Sequence, residues 1–220
     1  MSYPDGKTVS YGYDAMDRLV SVKEPDGKTT KYEYDALGRR IATEGANEQT
    51  SYAYDEVGNL VSQTSTGAYE LALEYAYDLA GRMTQESCTD NGTTVTSKFA
   101  YDALGQLVNF TRSDGQSESY AYDAAGNMLT KTQNGVQTAM SYNAANQLVQ
   151  SVSGTETTTH SYDANGNLVK SENAAGARSY AYNAQNLLAT FTREDGYSES
   201  YGYNAQRLSE RQGDGAFVLI

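Results

Sequence analysis

Two phenols and two carboxylates crowd into Tyr32-Glu33-Tyr34-Asp35. Such groups suit three chemistries: aspartate oxygens hold calcium, aromatic faces stack on sugar rings, and paired carboxylates hydrolyse glycosides. Other reactive parts are scarce. His160 is the single histidine, so a Ser-His-Asp triad or a histidine metal site lacks its parts. Cys88 is the single cysteine; it can form no intrachain disulfide, and no basic residue stands beside it in sequence to activate it.

Recurrence decides among these chemistries. The second aromatic and its polar partner return at Tyr13-Asp14, Tyr34-Asp35, Tyr54-Asp55, Tyr77-Asp78, Tyr101-Asp102, Tyr122-Asp123, Tyr142-Asn143, Tyr162-Asp163, Tyr182-Asn183 and Tyr203-Asn204, at intervals of 20 to 24 residues. Two residues before each stands Tyr11, Tyr32, Tyr52, Tyr75, Tyr120, Tyr180 or Tyr201, with Phe99, Met140 and His160 in the other three units. An active site is needed once, whereas a strand end and its turn are needed in every unit. Calcium wants six to eight oxygens converging on one point, and neighbouring strands put one Asp each at separate turns. Asn143, Asn183 and Asn204 replace Asp, as turn capping permits. The tyrosine rows read as packing, since sugar-binding hairpin repeats lean on Trp and this chain has none. His160 packs by the same register. No carboxylate pair stands apart from the repeat. No catalytic, cofactor-binding or metal site is assigned, and no cofactor is expected.

The elements that must place these groups follow from one unit. Arg18-Leu19-Val20-Ser21-Val22-Lys23 is a short strand and Glu24-Pro25-Asp26-Gly27 a hairpin turn. Lys28 to Tyr34 is a second strand, with Thr30, Tyr32 and Tyr34 on one face. Asp35-Ala36-Leu37-Gly38 turns the chain back: Asp bonds its own backbone and Gly takes positive φ. Gly38, Gly58, Gly81, Gly105, Gly126 and Gly166 fill this last position, with Asp17, Asn146 and Asn186 in three further units. The tenth unit, Asn204 to Leu208, is a residue short there.

Hairpin turns are expected at Asp5-Gly6, Gly45-Ala46-Asn47, Ser65-Thr66-Gly67, Asp90-Asn91-Gly92, Asp114-Gly115, Asn134-Gly135, Gly154-Thr155, Ala175-Gly176, Asp195-Gly196 and Asp214-Gly215. The longer intervals predict longer hairpins or bulges at about 64–72 and 86–95. Leu19, Leu60, Met83, Leu107, Met128, Leu148, Leu168, Leu188 and Leu208 form a row expected to pack on the tyrosines. Arg40 breaks it, and a one-residue slip would bring Ile41 into its place. The opposite face of the tyrosine strand is nearly bald (Ala53, Ala76, Ala100, Ala121, Ser141), with Glu33 the exception. The stretch 68–76 is the one helix candidate, and its run into Tyr77-Asp78 favours strand. Ala216 to Ile220 is apolar and stands where the next strand would run.

The fold class is therefore all-β: about twenty short antiparallel strands in one curved or spiralling sheet, residues 1–220 forming a single repeat region. The net charge of −12 argues against nucleic acid, which needs a basic stripe. No segment reaches the length of a membrane helix, and the start has no signal-peptide pattern. The chain opens on a turn in mid-repeat, as an excised stretch would. Open sheet edges allow self-association.

The pattern Y-x-Y-D-A-x-G-R/N-L-x-S, followed by D-G and T-x-Y, resembles the YD repeat of the RHS family over essentially the whole chain. That resemblance implies a long antiparallel sheet spiralling into a hollow shell, as in bacterial polymorphic toxins, insecticidal toxin-complex C components and teneurins. It implies a non-catalytic scaffold, secreted or at the cell surface, that encloses or displays a C-terminally linked toxin. The family's D-P autoprotease region is missing, because neither Pro4 nor Pro25 follows an Asp. Either sheet face could line the interior. A surface module binding glycan or protein through exposed tyrosines is the alternative.

Overall fold

The computed structural model describes residues 8–203, 209–213 and 216–219. The expected turns at Asp5-Gly6 and Asp214-Gly215, and the shortened unit Asn204 to Leu208, lie outside the described residues. The chain divides into two compact units, Met1–Gln116 and Ser117–Ile220.

The first unit holds β1 Ser10–Tyr13, β2 Leu19–Lys23, β3 Thr29–Tyr34, β4 Arg40–Glu44, β5 Glu48–Tyr54, β6 Leu60–Gly67, β7 Leu71–Tyr77, β8 Met83–Asp90, β9 Thr93–Tyr101 and β10 Leu107–Arg112. Each pairs antiparallel with the next. The second unit repeats the scheme. It holds β11 Ser117–Tyr122, β12 Met128–Gln133, β13 Val136–Tyr142, β14 Leu148–Ser153, β15 Glu156–Tyr162, β16 Leu168–Asn173, β17 Gly176–Tyr182, β18 Leu188–Arg193, β19 Ser198–Tyr203, β20 Ser209–Gly213 and β21 Ala216–Leu219. The 68–76 stretch becomes strand β7, and the apolar end of the chain becomes β21. Among the described residues no helix occurs.

Within each unit a strand touches only its neighbours in sequence. Among the described residues the sheet therefore has no second layer to bury it. Val9 is the one buried apolar side chain among the described residues, and apart from the exposed Tyr11 and Tyr13 the ring face is half-buried. The bald face is open: Ala53, Ala76, Ala100, Ala121 and Ser141 are exposed. Burial here comes from side chains lying on one another across strands. Hydroxyl pairs add to it, with Thr50 and Ser65 oxygens 2.9 Å apart and Ser87 and Thr96 3.0 Å apart.

Three local expectations need correction or sharpening. Ser65-Thr66-Gly67 does not turn; it continues β6, paired up to Glu48↔Gly67, and residues 68–70 make the connection. Gly67, at φ 120°, permits this, because a Cβ there would collide with the Asn47 carbonyl. The longer intervals appear as longer strands, up to nine residues in β9, capped by a tight Asn91-Gly92 turn with both φ positive. Ile41 does not slip into the leucine row. Tyr34 pairs with Arg40 and Glu33 with Ala42, so Ile41 is a bulge residue, in the slot that Val20 and Val61 occupy in their units. Arg40 keeps the leucine slot by lying over two rings, 5.1 Å from the Tyr52 centroid and 6.0 Å from that of Tyr32.

Candidate functional site

The recurring site is the Tyr-Asp turn. At Asp35 the Gly38 amide donates to the Asp35 carbonyl at 3.0 Å and the Asp35 amide to the Arg39 carbonyl at 2.9 Å. The last turn residue has positive φ at Asp17, Gly38, Gly58, Gly81, Gly105, Gly126, Asn146, Gly166 and Asn186. This is a type I turn closed by a left-handed residue, a geometry that joins paired strands through a bulge.

Asp35 Oδ1 accepts from the Leu37 and Arg39 amides, both at 2.9 Å. Asp14, Asp55, Asp78, Asp102, Asp123 and Asp163 accept the equivalent pair. Asn143 and Asn183 do the same with their amide oxygens. These bonds hold several carboxyls below their usual range. The backbone amides of Arg18 and Arg82 dominate at Asp14 and Asp78, and the Asn127 and Asn167 side chains at Asp123 and Asp163. At Asp35 and Asp55 desolvation opposes the shift and hydrogen bonds from Arg39 and Asn59 outweigh it.

The residue after the turn takes the second oxygen. Arg18, Arg39 and Arg82 donate through Nε to their own Asp Oδ2 at 2.7 Å, while Asn59, Asn127 and Asn167 donate to theirs through Nδ2 at 2.9 Å. Each of these arginines also reaches the next unit. Arg18 donates to the Asp35 carbonyl at 3.2 Å, Arg39 to that of Asp55 at 3.3 Å, and Arg82 to that of Asp102 at 3.2 Å. Their guanidinium groups cover the next tyrosine ring, 4.9 Å from Tyr34, 4.7 Å from Tyr54 and 4.9 Å from Tyr101. In the second unit Asn127 and Asn167 reach the Asn146 and Asn186 side chains instead. The sequence reading assigned this position no role, although its recurring Arg or Asn was the available signal.

In eight of the ten repeats the second tyrosine has the same kind of partner. Tyr34, Tyr54, Tyr77, Tyr101, Tyr142, Tyr162, Tyr182 and Tyr203 donate their phenols to the carbonyls of Leu19, Arg40, Leu60, Met83, Met128, Leu148, Leu168 and Leu188, at 2.7 to 3.0 Å. The reason lies in the ladder. Between β2 and β3 it runs from Lys23↔Thr29 to Ser21↔Lys31 and stops short of Tyr32–Tyr34. The other hairpin-to-hairpin ladders stop at the same point, as at Ala42↔Ser51 and Lys170↔Ser179. Where backbone rungs end, phenols supply the missing donors.

The first row is more varied. Tyr32, Tyr52, Tyr75, Tyr120, Tyr180 and Tyr201 are half-buried, as is Tyr122 of the second row, whereas Tyr11 and Tyr13 are 44% and 59% exposed. Tyr180 meets Phe191 at 5.4 Å. Tyr120 donates to Glu118, whose carboxylate pushes the phenol up to about 12, with burial adding to the effect. At the equivalent place Tyr201 donates to Glu199 at 2.5 Å. Among the described residues no three His, Cys, Asp or Glu side chains are grouped to hold a metal ion.

The repeat and its fold have counterparts among known proteins. The teneurin YD-shell model matches residues 67–216, and the RHS repeat model matches 1–29 and 17–48. The chain belongs to the teneurin YD-shell family. Double-stranded DNA deaminase toxin A of Burkholderia cenocepacia (strain H111) is 34% identical to this YD-shell chain over 100 residues, 41% of the chain and 7% of that protein. The crystal structure of TcdB2-TccC3 without its hypervariable C-terminal region superposes with a TM-score of 0.55 at 14% identity, over 93% of this chain and 14% of that one. The Photorhabdus luminescens Tc holotoxin pore gives a TM-score of 0.50 at 15% identity, over 93% and 15%. The YD-shell chain thus spans less than a sixth of each of these three proteins, and the structural likeness concerns the fold.

Proposed function

We propose that this chain is a non-catalytic stretch of wall in a larger secreted or surface-borne bacterial shell, and that the wall encloses or displays a linked toxin polypeptide. The repeated wiring of the turn carries this reading. Both oxygens of Asp14, Asp35, Asp55, Asp78, Asp123 and Asp163 are taken by their own loop, and most second-row phenols by the preceding unit. Such groups hold a sheet in register. The toxin in the name of the Burkholderia relative supports the setting. In this reading the partner is the enclosed polypeptide, and the chemistry belongs to that cargo.

The test uses the full-length protein with and without residues 123–142, one complete period of the array. The intact protein is expected to protect the linked polypeptide from added protease, and the shortened wall to expose it. Equal protection by both forms would overturn the proposal. A glycan-binding role would fall to Tyr11 and Tyr13, the exposed motif tyrosines. Glycan-array binding lost on Tyr13→Ala would establish that role in its place.

A further inference from the structure

The second unit sets two cations against each other. Arg178 on β17 stands directly opposite Arg193 on β18. The Glu194 amide donates to the Ala177 carbonyl at 2.9 Å, so the arginines form the adjacent, close pair without backbone hydrogen bonds. Like charges so placed destabilise a sheet. The repeat does not impose this. Thr30, Thr50, Ser97, Thr138 and Thr158 hold the slot of Arg178 in other repeats, and Arg178 is the one cation there among the ten. Arg112, in the slot of Arg193, faces Ser97 and meets no such clash.

The carboxylates nearby are engaged elsewhere. Asp195 takes Arg193 at 2.9 Å, Glu194 accepts the Ala177 amide at 2.9 Å, and Glu172 pairs with Lys170 at 2.7 Å. Arg193 is also held over the Tyr197 ring, 4.5 Å from its centroid. Among the described residues Arg178 has no ion-pair or hydrogen-bond partner for its guanidinium. Across the other ladder it faces Ser171, which is buried and whose hydroxyl is likewise unpartnered among these residues. Both arginines line a cavity of about 180 Å³. One positive charge is thus left over, with a buried hydroxyl beside it. A carboxylate matches that charge, whereas a phosphate would bring nearly two negative charges next to Glu194 and Asp195. An exposed ion pair alone is too weak to hold a free acid, so the carboxylate must arrive tethered to other contacts. We propose that Arg178, with Arg193 and Ser171 beside it, receives an Asp or Glu side chain from another stretch of the longer polypeptide.

This site rests on the wall reading only in needing that longer polypeptide. The test treats the full-length protein carrying Arg178→Lys with a water-soluble carbodiimide. The reagent activates a carboxyl group, the introduced amine displaces it as a urea, and an amide joins the two side chains. Peptide mass spectrometry is expected to map the link from position 178 to an Asp or Glu outside residues 1–220. It should be at least ten times more abundant than from Ser179→Lys, whose side chain points to the other face. No link, a link only to Glu194 or Asp195, or equal links from both positions overturns the proposal. In the 220-residue chain alone, Arg178→Thr should leave the melting temperature unchanged or raised, because it removes one of two opposed charges. A lowered value would give Arg178 a structural role within the chain and also overturn the proposal. The protease comparison on residues 123–142 tests the wall separately, since the link can form in a protein that fails it.

Discussion

The side chains of the repeat work as paired donors and acceptors, and their worth can be read one at a time. Tyr101 donates to the Met83 carbonyl at 2.8 Å, where the ladder has ended. Tyr101→Phe keeps the ring and removes this bond, so it should cost about 0.5–1.5 kcal/mol in urea denaturation. The same change at Tyr13 should cost less, because that ring is 59% exposed. The turn carboxylates predict an acid limit. The folded pKa values of Asp14, Asp78, Asp123 and Asp163 lie below the ordinary range. The stability they contribute is thus complete above an unfolded value of about 3.9 and is lost as pH falls through the folded values. Melting temperature should hold from neutral pH to about 4 and then drop. Asp78→Asn and Asp123→Asn together should flatten that drop, since Asn143 and Asn183 cap their turns without a charge. A profile unchanged by the pair would remove these carboxylates as its cause.

At the scale of the element, two glycines of the first unit have different duties. Gly38 turns the chain at φ 80°, and a Cβ added there would find nothing closer than the Arg18 guanidinium at 3.9 Å. Gly38→Ala should therefore cost only the backbone strain, about 1 kcal/mol. At Gly67 a Cβ would meet the Asn47 backbone, which has no flexible end to move. Gly67→Ala should cost more and should break the long β5–β6 pairing. Hydrogen exchange at the Thr66 and Gly67 amides would show this, and protection equal to that of Gly38→Ala would refute it. A bulge sits beside each Tyr-Asp turn, as at Ile41 opposite Glu33 and Tyr34, and a bulge of this kind raises the local twist of a hairpin.

For the molecule as a whole, the missing second layer matters most. Each strand within a unit rests on its neighbours in sequence, so stability should be a sum of unit and nearest-neighbour contributions. Deleting residues 123–142 joins Tyr122 to Asn143 and keeps the phase of the repeat. The shortened chain should retain its strand signal per residue in circular dichroism and lose only a fraction of its stability. Global loss of the signal would show that the units are not interchangeable.

The sequence by itself determined the period, the strand class, the left-handed turn positions and the half-buried ring face. These are local matters: period-2 alternation, Asp capping and the freedom of Gly act within a few residues. The family resemblance rested on the same local motif. Tertiary structure decided what depends on two units at once. It showed that Arg39 binds its own Asp35 and the next unit's Asp55 carbonyl, and that Arg40 stays in the leucine slot by lying over two rings. It showed that Gly67 runs on as strand, paired with Glu48 and with the Asn47 carbonyl lying where a Cβ would stand.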